Sequence, residues 1–402
     1  MSANLLAASN QWATRPVDER FWGLDDMGRA LRMVRDNSKS AEMPVRKVRA
    51  FSHAEAGGDG ADLCLRHTQA PIRLTHWSLG QLARYADAPP EYLRRLTPET
   101  AAACLNEGLS RYDGQDVQLL LHNGGFTDGV PDLSLRSMTT PQYSRLWNAD
   151  IIDALAPALD RGWMVPPARP ASDFDSRSRP ATLADIVPGQ DGFGLAVKPG
   201  DIISPAGCYA SDHDMFVFMV HPDRIIDLNG SGGLMRGFFL WNSEVGAGAF
   251  KIQTFLLEAV CGNHIVWGAS DVRTYRKVHK GRNFEDLGDF RRHLTGHVAA
   301  YADADTSAEL QMVRRARGYV LGKDRAETVK TLAGMPQLGL SQRVIEATYS
   351  VAEEFEGTAK APPTTAWGFA GGLTRYSQTM PYADQRAALD AAAGKLLALA
   401  SI

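Results

Sequence analysis

The sequence predicts an α+β fold in which a central, mostly antiparallel sheet is flanked by an N-terminal helical region and C-terminal helices. Two observations carry this prediction. Between residues 192 and 267, short apolar segments alternate with Gly, Pro, Asp and Asn, a pattern typical of strands joined by tight turns. Beyond Asn283, apolar residues recur at helical spacing in several successive segments.

The same patterns divide the chain into four parts. We expect a mixed helical region with a short hairpin at 1–162, a Pro-rich linker or long loop at 163–191, a β-rich core at 192–284 and a helical region at 285–402. The linker prediction depends on repeated prolines and on the lack of sustained apolar periodicity.

In the N-terminal part, residues 75–109 predict three short helices. Ser78 can cap the first, and Thr97 followed by proline opens the third. A strand at 116–123 is expected to pair with 133–138. Residues 142–156 then predict a helix that Thr140-Pro141 opens and Pro157 stops.

The β-rich part predicts strands at 193–197, 202–209, 215–220, 224–228 and 237–241. The segment 250–260 suits a buried strand or a short helix, and we favour a strand that pairs with 265–269 across Gly262-Asn263. The helices that follow are expected at 284–301, 307–321, 325–332, 341–354 and 382–399.

Composition narrows the class of protein. The apolar fraction of 44% and the charged fraction of 22% are those of an ordinary globular chain. No apolar run approaches the roughly 18 residues that cross a membrane, and the N-terminus makes a poor signal peptide, so we expect no membrane partner and a cytoplasmic protein. The four cysteines form no C-x-x-C pair, which argues against a zinc ribbon or a thioredoxin-type motif.

Two clusters suggest chemistry. Cys261, His264 and His279 offer a Cys–His nucleophile pair, although Cys261 ends an apolar run where a buried structural cysteine is the commoner role. Asp212-His213-Asp214 with His221 offers metal ligands, although a solvated loop entering a strand explains the same residues. We therefore expect no metal and no cofactor, and we favour a non-enzymatic protein.

Residues 81–96 are similar to a helix-turn-helix, with Tyr92, Arg94 and Arg95 on the second helix. Asp87 stands where a turn glycine is usual, and Glu91 near the start of the second helix repels phosphate. An ordinary helical hairpin is the favoured interpretation.

The densest basic stretch is the main candidate for a binding site. From Arg273 to Arg325 there are twelve Lys and Arg against seven Asp and Glu, in a chain with a net charge of -3. Cations beside a stackable ring are what single-stranded nucleic acid requires. The candidate nucleic-acid-binding residues are Arg273, Tyr275, Arg276, Lys277, His279, Lys280 and Arg282.

Residues 242–268 close an apolar run on Cys261-Gly262-Asn263-His264 and lead into this basic stretch. In that order the segment resembles the Domain of Unknown Function 932 family of phage, plasmid and prophage proteins. Members carry a similar Cys-X-Asn element before a basic, His-containing stretch. Weaker similarity lies at 138–159, at 238–282, and at 367–374 with Arg386 downstream. His264 and Gly371-Gly372 depart from the residues more usual in the family.

The resemblance implies a mobile-element protein, and a sheet followed by helices and a basic stretch is also found in single-strand annealing recombinases of the Erf and Red-beta kind. We therefore expect a DNA-associated protein of phage or plasmid recombination or replication, with single-stranded DNA as partner and a homo-oligomer left open. The first alternative is an enzyme that acts on a nucleotide or small substrate through Cys261, His264 and His279 or through a metal at Asp212, His213 and Asp214. The second is a ligand-free scaffold or self-assembling protein. We interpret the Cys261 element as a turn of the sheet that positions 273–282.

Overall fold

The computed structural model describes residues 16–54, 61–67, 70–127, 129–170, 177–185, 197–205, 207–227, 233–258, 265–267, 275–305, 307–354, 361–380 and 383–400. The strands are β1 Arg20–Phe21, β2 Ser38–Met43, β3 Ala50–Ala54, β4 Ala61–His67, β5 Ala70–Leu74, β6 Val117–Thr127, β7 Val130–Thr139, β8 Arg169–Pro170, β9 Arg179–Pro180, β10 Ile202–Ser204, β11 Cys208–Ala210, β12 Met215–Asp227, β13 Gly233–Asn242, β14 Phe250–Glu258, β15 Ile265–Trp267 and β16 Tyr275–Lys277. The α-helices are α1 Leu24–Asp36, α2 His76–Tyr85, α3 Pro90–Leu93, α4 Pro98–Ser110, α5 Asn148–Leu159, α6 Leu287–Asp303, α7 Ser307–Gly318, α8 Arg325–Ala333, α9 Gln342–Glu354, α10 Ala366–Ser377 and α11 Ala383–Leu399.

The predicted α+β class is confirmed by an antiparallel central sheet with helices before and after it along the chain. Its strands follow the order β1-β11-β12-β13-β14-β15, and β16 also pairs with β14. The ambiguous segment at 250–260 is a strand, and its predicted partner β15 is confirmed. The predicted strands at 215–220 and 224–228 are one strand, because β12 continues through a register shift between His221 and Ile225.

The predicted strand at 202–209 is two short strands in different sheets. β10 pairs with β8 and β9, whereas β11 pairs with β1 and β12. Upstream of them, Trp163 is buried and Met164 makes an antiparallel bridge to Val220. The strand predicted at 193–197 lies outside the described residues except for Val197.

A second sheet in the N-terminal part has the order β2-β6-β7-β5-β4-β3. The predicted hairpin is confirmed as β6 and β7, which pair antiparallel, while β5 and β7 run parallel. The sequence did not predict β2 to β5. Strand β2 reads SKSAEM, and such a short polar edge strand lacks an apolar alternation that marks it.

Two N-terminal helix starts differ from the prediction. Thr75, not Ser78, caps α2, and the two hydroxyls form a reciprocal capping box. Helix α5 begins at Asn148 rather than at 142, because Tyr143 and Arg145 use this stretch for tertiary hydrogen bonds to the carbonyls of Ser243 and Glu244. The Thr97 cap of α4 is confirmed.

Among the described residues, the three largest buried cores hold these elements together. One lies between the central sheet and helices α1, α5 and α6. A second lies between helices α7 to α11 and the far ends of β12, β13 and β14. The third packs the N-terminal sheet against α2, α3 and α4. The C-terminal helices are confirmed with bounds shifted by a few residues, and α10 is an additional buried helix. Within the described residues, no helix combines the length and apolar character that crossing a membrane requires.

Candidate nucleic-acid interface

Strand β16 holds the first part of the basic stretch on the outer edge of β14. The register pairs Tyr275 with Ile252, Arg276 with Lys251 and Lys277 with Phe250. Side chains alternate between the faces of a strand, so Arg276 is exposed while Tyr275 and Lys277 are half-buried. The Lys277 ammonium lies 5.2 Å from the centre of the Phe284 ring.

The turn after β16 presents two further cations. Lys280 and Arg282 are exposed on either side of Gly281, whose φ of 61° suits glycine. Arg282 lies 3.5 Å from Glu285 and keeps 89% of its side-chain surface exposed. Exposed pairs of this kind contribute little, so the guanidinium remains accessible to an anion.

His279 does not belong to the exposed surface, which corrects its assignment as a nucleic-acid contact. Its ring is buried, with Nδ1 2.9 Å from the Ser144 carbonyl oxygen and Nε2 3.0 Å from Asn242 Oδ1. Burial, together with the nearby Arg145 charge, lowers the pKa of His279 to about 4. A neutral, buried imidazole offers nothing to a phosphate. Arg273 and the element from Cys261 to His264 lie outside the described residues.

A groove of about 480 Å³ runs beside the basic strand, between α6 and strands β14 and β16. Thr254 and Tyr275 line it from the sheet. Arg292, His293 and His297 line it from α6, where His293 and His297, four positions apart, share one helix face. The Tyr275 and His293 rings are nearly parallel, at 6° and 6.4 Å between centres.

The sequence analysis missed His293 and His297 as members of this site. The signal was present, because two histidines four residues apart fell within a predicted helix directly after the basic stretch. What the sequence did not supply was the face of α6 that meets the sheet. That face is set by Phe290, Leu294 and Val298, which pack in the core beside Phe250 and Ile252.

Two contacts fix α6 over the sheet. The buried Arg236 of β13 donates to the carbonyls at the C-terminal end of the helix, with Nη1 3.2 Å from Ala302 O and Nη2 2.7 Å from Ala304 O. A cation there is favourable because the helix dipole leaves partial negative charge at this end. The Tyr301 hydroxyl donates to the Phe255 carbonyl at 2.6 Å. These contacts hold the C-terminal end of α6 against β13 and β14.

The electrostatics of the groove are mixed. Asp289 lies 3.4 Å from Arg292, which offsets part of the positive charge of the guanidinium, and 3.3 Å from His293 Nδ1. Burial and the charge of Asp289 raise the pKa of Tyr275, so its phenol is protonated at neutral pH and can donate a hydrogen bond. Arg276 and Lys280 have no salt-bridge partner within the described chain, which leaves both cations available to phosphate.

No protein-family model matches the chain, and neither does any curated protein or solved structure. Its own geometry is therefore what supports a function.

The second cluster named from the sequence forms a different arrangement from the one expected. His213 Nδ1 lies 2.7 Å from Asp212 Oδ1, and the ring stacks on Trp77 at 5.6 Å. Burial raises the pKa of Asp212, but the hydrogen bond and charge of His213 outweigh it and leave the pKa below its ordinary value. A carboxylate so placed orients an imidazole as a proton acceptor.

These residues do not form a metal centre. No group of three or more His, Cys, Asp or Glu side chains among the described residues is arranged to hold a metal ion. His221 lies apart from the cluster, with its Nε2 3.0 Å from the Arg161 carbonyl and its ring edge-on to Trp163. His213 and Asp214 instead border a cleft of about 330 Å³ with Trp77 and Ser243.

The segment that is similar to a helix-turn-helix is a helical hairpin packed against the protein. Helix α3 is a single turn, too short to lie along a major groove. Asp87 takes the left-handed conformation, with φ of 51°, that a turn glycine usually supplies. The Arg94 guanidinium is turned back onto the His76 carbonyl at 3.1 Å.

Proposed function

We propose that this protein binds single-stranded nucleic acid along β16 and the groove beside it. The observation that supports the proposal is that β16 and the turn after it present exposed Arg276, Lys280 and Arg282, while the Tyr275 face of the same strand borders a groove that Arg292 and His293 line from α6. Phosphates would lie on the exposed cations, and the aromatic lining offers contact to a base.

Single strands suit this surface better than duplex. A base must leave its stack to contact a ring inside a groove, and single strands allow this at little cost. Duplex readers place a helix or a two-stranded ribbon in the major groove. Helix α3, the candidate recognition helix, is one turn long and is too short for this role.

A DNA-associated role in phage or plasmid recombination or replication is the biological form of this proposal. The resemblance to the Domain of Unknown Function 932 family supports the mobile-element setting, and the exposed cations support contact with DNA. A non-enzymatic, strand-binding or annealing protein needs only such a surface, with no cofactor. Several copies along one strand would give the homo-oligomer that the sequence left open.

Filter binding of an oligodeoxythymidine across a salt series tests the proposal. We expect Arg276→Glu, Lys280→Glu and Arg282→Glu together to weaken binding at least tenfold at low salt. Because each phosphate contact on a single strand contributes about 0.7 to the salt slope, losing three should flatten the slope by about 2.

The matched control is a triple reversal on the N-terminal part, Arg46→Glu, Lys47→Glu and Arg111→Glu. These side chains are equally exposed and the change in net charge is identical. If both triple variants lose the same affinity, binding reflects overall charge rather than β16. Unchanged binding by the β16 variant would refute the proposed surface.

A further inference from the structure

Thr254 is a buried polar residue that the fold leaves without a partner. Its side chain is 2% exposed, and its Oγ1 has no hydrogen-bond partner in the described structure. A buried hydroxyl without a partner is destabilising, and a valine of the same shape would avoid the loss. Such a residue in a groove wall indicates that its partner is supplied by something the groove binds.

The register of the sheet places Thr254 close to Tyr275. Tyr275 is the cross-strand partner of Ile252, and paired residues point to the same face, as do residues two apart on one strand. Thr254 is thus the diagonal neighbour of Tyr275 on the face toward α6, at roughly 7 Å. That separation is comparable to the width of a nucleobase.

Among the described residues, β15 pairs with residues 255–257 of β14 and β16 with residues 250–252. Neither of these pairings includes Thr254, which lines the groove from β14. His293 and His297 of α6 face the same space.

We infer that the groove takes one unstacked nucleobase of the bound strand, with its ring beside Tyr275 and a polar edge on Thr254 Oγ1. A hydroxyl both donates and accepts, so it pairs with a keto oxygen or an amino group of the base. This inference rests on the proposed function and adds that affinity depends on the base as well as on phosphate. The exposed cations attract the phosphates of the strand, and the groove binds a strand that carries bases more tightly than an abasic strand.

Two oligonucleotides of equal length test the inference, one of deoxythymidine and one of abasic sites with the same number of phosphates. We expect the wild-type protein to bind the thymidine strand at least tenfold more tightly, with equal salt slopes. Thr254→Val should reduce that preference about fivefold to tenfold and leave binding of the abasic strand unchanged, because only the hydroxyl is lost. Thr254→Ser, which keeps a hydroxyl, should retain most of the preference.

Failures of the two proposals are distinguishable. If the wild-type protein binds both strands equally with a steep salt slope, nucleic acid is bound but the base pocket is refuted. If neither strand binds, both proposals fail. If Thr254→Val weakens both strands alike, the threonine is structural and the inference is overturned. Thermal unfolding checks that the Thr254→Val variant is folded. Its melting temperature should equal or exceed that of the wild-type protein.

Discussion

At the scale of single residues, the hydrogen bonds of the Asn242 side chain fix the start of segment 242–268 and orient Asn242 toward His279. Its Nδ2 donates to Leu146 O at 3.1 Å and to Asn148 Oδ1 at 2.8 Å, which orients Oδ1 toward His279. The neutral ring carries a single proton. When that proton is on Nδ1, facing the Ser144 carbonyl, Nε2 has no proton to donate to Asn242 Oδ1. Only one of the two close contacts of His279 is then a hydrogen bond.

This arrangement predicts a stability that falls in acid. The pKa of His279 is about 4 in the folded protein, below the ordinary value of about 6.5 in the unfolded chain. The unfolded state therefore binds more protons between these values, and stability present above pH 6.5 is lost as pH falls toward 4, by up to about 3 kcal/mol.

Urea unfolding at several pH values, compared between wild type and His279→Gln, isolates this contribution. The glutamine variant does not titrate and should lose less stability between pH 6.5 and pH 4.5. If the wild type instead gains stability over this range relative to the variant, the ring is an imidazolium that donates to both Ser144 O and Asn242 Oδ1.

At the scale of elements, the close packing of α9 against α10 depends on Gly372. A Cβ at this position would lie 2.5 Å from Ala352 Cβ and 3.0 Å from the Thr348 carbonyl oxygen. Both are on α9, so the helices must separate to accept a side chain.

Gly372→Ala should therefore destabilise the protein by about 1–3 kcal/mol, although alanine is the better helix former. Gly296→Ala on α6 is the matched control. Nothing lies within 4 Å of a Cβ there, so this substitution should stabilise by about 0.5–1 kcal/mol. Chemical denaturation of both variants measures the difference, and equal effects would show that the helix contact is not tight.

Sequence reasoning succeeded where an element's own pattern determines it. Most central strands and the C-terminal helices carry the apolar spacing of their own type of element. The segment of β14 fitted a strand or a short helix, and the strand was favoured with 265–269 as its partner. It failed where distant contacts decide, as at 142–147, where Tyr143 and Arg145 bind carbonyls about 100 residues away. In the candidate site, Tyr275 and the exposed cations were predicted, whereas the burial of His279 depends on Asn242 and Ser144, which no local pattern connects to it.

At the scale of the whole molecule, the turn after β13 joins the N-terminal part to the central sheet. Val245 O accepts from Gln81 Nε2 at 2.8 Å and from Trp77 Nε1 at 3.1 Å, both on α2. Glu244 forms a buried ion pair with Arg136 of β7 at 2.6 Å and accepts from Asn148 N at 2.8 Å. Two parts with separate apolar cores are thus connected through buried polar groups.

A charge pair at this junction should therefore link the unfolding of the two parts. Glu244→Ala leaves the buried Arg136 without its carboxylate and close to the half-buried Arg145, whose pKa is lowered by burial although the nearby carboxylate raises it. Removing one partner of a buried pair costs about 3–5 kcal/mol. Calorimetry should then resolve an early transition of the N-terminal part from that of the central sheet.

Glu107→Ala is the control, because this glutamate is 65% exposed and its pair with Arg111 contributes little. If Glu244→Ala lowers stability no more than Glu107→Ala, the pair of Glu244 with Arg136 does not link the unfolding of the two parts.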